Sequence, residues 1–409
     1  MKSELMEDID RHLESVVQEY ANAFPIVLLT GARAVGKLSL LTRLFGELPL
    51  VSFADPTQVV SAKSDPKHFF SLITPPVILD EIQYITELFP YIKMEVDRRG
   101  AKGLYIMTGS QQYSLMQNVS ESLAGRVGIL VLHGLSLREQ YGDTFAEPFV
   151  PSKEQIMSRN VQYRMERGDL WKIIHRGSYP ELVKGSVSRD MYYGSYVKTY
   201  IERDVRSLAQ IGDAWQFTIF LTIVAARTGS IVNYTDIAKE VGVSSPTIKR
   251  WISILIAGGI VTLLHPWSRN IEKQVTKTPK LYFLDTGLAS WLTKWHTPQS
   301  LEEGNMAGAF FETFVVSEII KSWHNAGREP SLYFYRDKEG KEIDLLIEDG
   351  QTLYPIEIKK SATPSRDALK NFGVLENIDK EIGSKTVICS IEKPAFLSKD
   401  ATALPVTYI

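Results

Sequence analysis

The chain has 409 residues, of which 44% are hydrophobic and 23% charged, and its formal charge is −2. That length exceeds one ordinary core and points to two or three domains, while a charge so near zero means that any contact with nucleic acid must come from local basic patches. Cys389 is the only cysteine, which excludes an internal disulfide and argues against a cysteine-built zinc site.

The N-terminal "MKSELMEDID" lacks the basic-then-apolar order of a signal peptide, and the most apolar helical run, Phe217 to Ala226, is too short to span a bilayer. A cytoplasmic protein with no membrane partner is expected. There is no internal repeat and no low-complexity tract. In the first third, short apolar runs alternate with amphipathic stretches, which predicts an α/β fold with a parallel sheet flanked by helices. The candidate strands are Pro25 to Thr30, Leu48 to Phe53, Pro76 to Asp80, Gly103 to Thr108 and Gly128 to Leu132. Beyond Leu135 helical periodicity takes over, and from about Gly304 helix and strand alternate again.

The first candidate strand runs into "GARAVGKL", which fits the phosphate-binding pattern G-x-x-x-x-G-K-[S/T] up to its last letter. A glycine-rich loop between a strand and a helix N-terminus aims backbone N–H groups at one spot, where the helix dipole adds positive potential. Gly31 and Gly36 let the backbone approach phosphates, and Lys37 neutralises the β and γ groups. Leu38 stands where a Ser or Thr hydroxyl would bind Mg²⁺. Ser39 is no simple replacement, because one step along a helix turns a side chain by about 100°. ATP binding is therefore expected, with hydrolysis slowed or lost.

"PPVILDEIQ" is an apolar strand that ends in two acids, Asp80 to hold Mg²⁺ and Glu81 to polarise the attacking water. The next strand ends in Thr108-Gly109-Ser110, where Thr108 and Ser110 place polar groups to orient that water. Arg126 follows a predicted helix and suits a developing γ-phosphate charge across a subunit boundary, or the C-terminal carbonyls of its own helix.

"YTDIAKEVGVSSPTIKRWISIL" reads as a helix-turn-helix with its turn at Gly242-Val243 and its second helix capped by Ser244 or Ser245. Ile237, Ala238, Val241, Ile248, Ile252 and Leu255 form the expected core, which leaves Thr247, Lys249 and Arg250 for DNA. Arg269, Lys273, Lys277 and Lys280 suggest a basic wing. Further on, "GAFFETFVVSEIIKSW" is a predicted helix with Glu312 and Glu318, and the strands "KEIDLLIE" and "LYPIEIKK" carry Asp344, Glu357 and Lys359. Asp344 and Glu357 can share Mg²⁺ or Mn²⁺, with Glu312 as the helix partner. Lys359 lies on the strand face of Glu357 by the two-residue period and can position a water or stabilise a phosphorane.

The placement of Arg126 resembles that of the arginine finger in AAA+ ATPases. The order helix acid, Asp344, Glu357-x-Lys359 resembles the PD-(D/E)XK nuclease fold. More closely, "LLTGARAVGK", "ILDEIQ", "YVKTYIERDVR", "PKLYFLDTGLA" and "FYRDKEGKEIDLLIE", in this order, resemble a large bacterial and archaeal family that joins an AAA-type ATPase domain to a C-terminal domain of unknown function. The resemblance covers nearly the whole chain. It implies a P-loop AAA+ core over 1–135, a helical lid or connecting region over 136–230, a winged helix-turn-helix over 231–300 and a nuclease-like α/β domain over 301–409. Taken together, these motifs predict a homo-oligomer, favoured as a hexamer, that uses ATP and Mg²⁺ to act on DNA and couples the ATPase to a metal-dependent nuclease-like domain. The alternatives are a non-enzymatic, ATP-controlled DNA-binding scaffold and a protein-remodelling ATPase.

Overall fold

Five short strands of the N-terminal third pair into one parallel sheet in the order β2-β3-β4-β1-β5, where β1 is Ile26–Thr30, β2 Leu50–Ser52, β3 Val77–Asp80, β4 Tyr105–Gly109 and β5 Val127–Val131. Each lies within a few residues of its predicted position. The inner strands β1, β3 and β4 are buried along their whole length, as strands covered on both faces must be, whereas edge strand β5 alternates between buried and half-buried residues. The connecting helices start where side chains cap them. Asp55 accepts from Thr57 N ahead of Pro56–Ser64, and Asp65 accepts from His68 N ahead of Pro66–Leu72, each with proline in the first turn.

The computed structural model describes residues 9–109, 115, 119, 121–201, 214–268 and 277–409. The chain divides into two compact units. The first runs to Gly134 and includes Ala257–Gly259 and His324–Gly327; the second comprises Leu135–Ile256, Ile260–Trp323 and Arg328–Ile409.

The second unit is built on a sheet of ten strands: β6 Ser230–Ile231, β7 Val261–Pro266, β8 Lys280–Phe283, β9 Leu332–Arg336, β10 Glu342–Asp349, β11 Thr352–Lys359, β12 Glu381–Ile382, β13 Lys385–Cys389, β14 Ala395–Ser398 and β15 Ala401–Pro405. Their order is β14-β15-β13-β11-β10-β9-β7-β8-β6, with β12 beside β11. The sheet is continuous across residue 300, because β7 pairs in parallel with β9 through His265 and Tyr333. Helix Ala307–Asn325 carries the apolar residues Phe310, Phe311, Val315 and Ile319, all fully buried.

The "LDTGLA" segment is explained by one carboxylate. Asp285 caps helix Thr286–Leu292 through Leu288 N at 2.7 Å and also accepts from Ser178 N and Oγ and from the Tyr193 hydroxyl at 2.6 Å. Four donors on one buried acid join distant parts of the unit, a structural role that sequence position alone does not reveal. Among the described residues, no helix is long and apolar enough to cross a membrane.

Candidate functional site

The first site forms at the C-terminal ends of β3, β4 and β1, which lie side by side. After Thr30 the chain turns through residues 31–36 into helix Lys37–Leu44. That turn requires glycine at both ends: a Cβ on Gly31 would lie 2.1 Å from the carbonyl oxygen of Leu132, and Gly36 has φ +92°. Arg11 holds the loop by donating to the carbonyls of Val35 at 3.0 Å and His133 at 2.7 Å. No sequence pattern marks Arg11, because its partners are backbone atoms far along the chain.

Lys37 is buried, and its ammonium donates to the carbonyls of Ala32 at 2.8 Å and Gly31 at 3.1 Å. Burial lowers its pKa to about 8 against the attraction of Glu81 and Asp80. Asp80 is held on both oxygens. The Thr108 hydroxyl donates to Oδ1 at 2.6 Å and the Ser52 hydroxyl to Oδ2 at 2.7 Å. Thr108 lies on β4 and Ser52 on β2, the two neighbours of β3, and Ser52 is in direct register with Asp80. Ser52 was not expected from the sequence, since only the strand order brings it there.

Glu81 has φ +55°, and its carboxylate accepts from the Gln83 amide. Of the three non-glycine residues with positive φ among the described residues, two, Ala34 and Glu81, belong to this site; such backbone persists only where the surroundings enforce it. Leu38 is half-buried and brings no oxygen, and Ser39 is exposed on the helix. The loop N–H groups and Lys37 thus fit a triphosphate and Asp80 fits a cation, while position 38 does not fit the usual metal ligand. Ser110 lies outside the described residues.

Arg126 donates Nε and Nη2 to the two oxygens of Asp97 at 2.6 and 3.0 Å, and Nη1 to Ala124 O at 3.1 Å. Ala124 is a turn residue and not part of the preceding helix, so this contact is not the helix C-terminal one that was the alternative role. The Asp97 pairing was not foreseen.

The second site lies on the antiparallel neighbours β10 and β11. Lys359 Nζ is 2.6 Å from Glu357 Oε1 and 3.4 Å from Asp344 Oδ2, and Ile358 N donates to Asp344 Oδ2 at 2.8 Å. Burial, and then the Asp344 carboxylate, raise the pKa of Glu357 to about 7 against the pull of Lys359. Glu357 Oε2 is buried without a partner, an orphaned acceptor that a cation or water would satisfy. Asp344, Glu357 and Lys359 are therefore brought together as expected.

Glu312 is not brought into a ligand set with them. Its carboxylate accepts from Lys280 Nζ at 3.0 Å and from the Tyr282 hydroxyl at 2.6 Å, and Lys280 also meets Glu342 at 2.6 Å. Lys280, expected on an exposed basic wing, is instead a buried residue of β8. Burial by itself would lower its pKa, but the Glu312 and Glu342 carboxylates outweigh that and hold it above the usual value. Glu318 is also engaged, accepting from Leu137 N at 2.6 Å and pairing with Lys321 at 2.8 Å. Among the described residues, no group of three or more His, Cys, Asp or Glu side chains could hold a metal. Asp344 and Glu357 would share a hard cation with water and substrate oxygens.

Helix Tyr234–Val241 ends on Gly242 in the left-handed region, and helix Ser245–Ala257 follows. Ser244 caps the second helix through Thr247 N. All six expected core residues are buried, and Trp251, not foreseen, packs edge-on against Phe217 and Phe220. Lys249 and Arg250 are exposed, Lys249 lies over the Tyr234 ring at 5.4 Å, and Thr247 is half-exposed. Arg269 and Lys273 lie outside the described residues.

Residues 23–141 match an AAA domain, residues 167–299 a domain of unknown function (DUF8612) and residues 307–409 another domain of unknown function (DUF4143). Uncharacterized proteins of Mycobacterium tuberculosis and Mycobacterium bovis are each 30% identical to the chain over 346 residues, covering 83% of it and 71% of their own length. Among solved structures, a Walker-type ATPase of Pyrococcus abyssi is 16% identical, with a TM-score of 0.46, over 71% of this chain and 97% of that one.

Proposed function

The chain belongs to the AAA-type ATPase family with a C-terminal DUF4143 domain, and from that premise we propose that it is an ATP-dependent protein that acts on DNA, with a metal-assisted phosphodiester site in its C-terminal part. The observation that carries the ATP half is the buried Lys37 on its glycine loop beside an Asp80 held on both oxygens. Loop N–H groups and Lys37 bind the phosphates, Asp80 would hold Mg²⁺ in the orientation that Thr108 gives it, and Glu81 and Ser110 orient the attacking water. Bound Mg²⁺ supplies charge neutralisation on the phosphate oxygens. Arg126 would complete the site of a neighbouring copy in a homo-oligomer, a hexamer by this reading, once it exchanges Asp97 for phosphate. A cytoplasmic location goes with this reading.

The DNA half rests on the Asp344, Glu357 and Lys359 cluster and on the exposed Lys249 and Arg250, with Thr247 beside them. Asp344 and Glu357 would hold Mg²⁺ or Mn²⁺, which activates water for attack on phosphorus, and Lys359 stabilises the charge that develops on the phosphate. A second reading, an ATP-controlled DNA-binding scaffold, draws on the missing oxygen at Leu38 and on the diversion of Glu312 to Lys280. The test is ATP hydrolysis by purified protein with and without DNA, together with Mg²⁺- or Mn²⁺-dependent cleavage of branched, single-stranded and duplex DNA. Cleavage with DNA-stimulated turnover supports the first reading, and DNA binding without either favours the scaffold.

A further inference from the structure

Lys280 reaches from β8 to a point where two carboxylates of different elements converge. Its ammonium is 3.0 Å from Glu312 of helix Ala307–Asn325 and 2.6 Å from Glu342 of β10. The Phe334 ring lies 5.5 Å from the same nitrogen, and the Tyr282 hydroxyl donates to the Glu312 oxygen that Lys280 meets. The Lys280 side chain is 5% exposed, too little for its ammonium to reach a substrate. Carboxylates converging from a helix and a strand are the oxygen ligands of a hard divalent ion, and here the cation between them belongs to the chain.

This position adjoins Asp344 and Glu357. Glu342 stands two residues before Asp344 on β10. Burial raises the pKa of Glu312, Lys280 opposes the rise and the nearby Asp344 carboxylate adds to it, which ties Glu312 electrostatically to the same site. Glu312, Glu342, Asp344 and Glu357 each lie within 3.4 Å of one of two ammonium groups, Lys280 or Lys359. Fully ionised, these four acids and two lysines carry two net negative charges, which one divalent ion neutralises and two would exceed. Arg336 is 3.8 Å from the other oxygen of Glu342, but its side chain is half-exposed and screened by solvent.

We propose that Lys280 is a built-in cation that fills one of two adjacent cation positions. The C-terminal site then takes a single divalent ion, at Asp344 and Glu357, and a second one only when the Lys280 ammonium is removed. The inference rests on the reading of Asp344 and Glu357 as metal ligands. Lys280 is a positioning residue: it keeps Glu312 and Glu342 out of the metal's ligand set and fixes the ion count. In two-ion sites both ions clamp the phosphate. A tethered ammonium carries charge but opens no coordination position to water or phosphate, so the attacking water has one ion to bind.

The test uses full-length protein without nucleotide, carrying Asp80→Asn to remove the cation position of the loop site. It is titrated with Mn²⁺, and bound ions are counted from the free-ion signal in electron paramagnetic resonance. The expected count is one with Lys280 present, lost in Asp344→Ala and kept in Glu312→Gln. Lys280→Ala should raise the count to two, and adding Glu312→Gln to it should return the count to one. Lys280→Met, which fills the space of the stem, should stay at one. Mn²⁺ should also raise the melting temperature of Lys280→Ala more than that of the protein with Lys280, because the ion takes over the charge between the two acids. A count of two with Lys280 in place, a count unchanged by Lys280→Ala, or a Lys280→Ala protein that fails to fold even with Mn²⁺ overturns the proposal. A count of none with Lys280 present, and of one in Lys280→Ala that Glu312→Gln removes, supports Lys280 as the built-in cation and overturns the metal reading of Asp344 and Glu357.

Discussion

Thr108 donates its hydroxyl hydrogen to Asp80 Oδ1 at 2.6 Å and, through the same oxygen, accepts from the backbone N–H of Glu81 at 3.0 Å. One hydroxyl on β4 therefore orients the carboxylate that ends β3 and the strained residue after it. Thr108→Val keeps the shape but leaves Asp80 oriented by Ser52 alone, and a lost hydrogen bond to a buried charge costs about 1.5–3 kcal/mol. ATP turnover should fall about tenfold or more, with nucleotide affinity changed far less. Unchanged turnover would mean that the orientation of Asp80 does not limit the reaction.

Leu38→Thr restores an oxygen at the first turn of the loop helix. Since the phosphate cradle is already present, Mg²⁺-dependent turnover should rise by about tenfold or more while ATP affinity without metal stays the same. Steady-state assays with and without Mg²⁺ check this, and equal turnover in the two proteins would show that the metal is held without position 38.

Lys37 provides a pH dependence whose sign can be worked out. In the folded protein its pKa is lowered to about 8, while an unfolded lysine keeps its proton to about pH 10.4. Between those values the unfolded chain binds more protons, so this group's contribution to stability rises with pH. Nucleotide binding runs the other way, because a triphosphate favours the ammonium form. Above about pH 8 binding must take up a proton, and affinity should fall by up to tenfold per pH unit. Calorimetry in buffers of different ionisation enthalpy would detect that proton, and a flat affinity from about pH 7 to about pH 9.5 would remove Lys37 from the phosphate contact.

Arg126 and Asp97 are paired in an exposed, solvent-screened setting, with side chains 31% and 48% accessible, so the pair is weak enough to exchange. If Arg126 serves a neighbouring copy, mixing Arg126→Ala protein with Glu81→Gln protein should restore part of the turnover that each lacks. A protein that stays monomeric in sedimentation at every concentration, with and without ATP, would end that idea.

Glu312 should separate cleanly from Asp344 and Lys359 by substitution. Asp344→Ala or Lys359→Ala should abolish DNA cleavage while ATP binding persists. Glu312→Gln should retain cleavage and lower the melting temperature, because it removes a charge-assisted partner of buried Lys280 worth about 1.5–3 kcal/mol. Loss of cleavage without loss of stability in Glu312→Gln would return that acid to the metal site.

The sequence by itself determined the alternation of strands and helices in the first unit, the glycine loop with Lys37, the acids at the end of β3 and the pairing of Glu357 with Lys359 on one strand face. These are local features, set by periodicity, by the φ that only glycine readily adopts and by spacing within a single element. Only the tertiary structure decided that Ser52 shares Asp80, that Arg11 holds the loop, that Asp285 collects four donors and that Lys280 leaves the expected wing to occupy Glu312. Each of those depends on which strands become neighbours and which faces are buried. A buried charge takes the nearest partner that packing provides, and separation along the chain does not encode that choice.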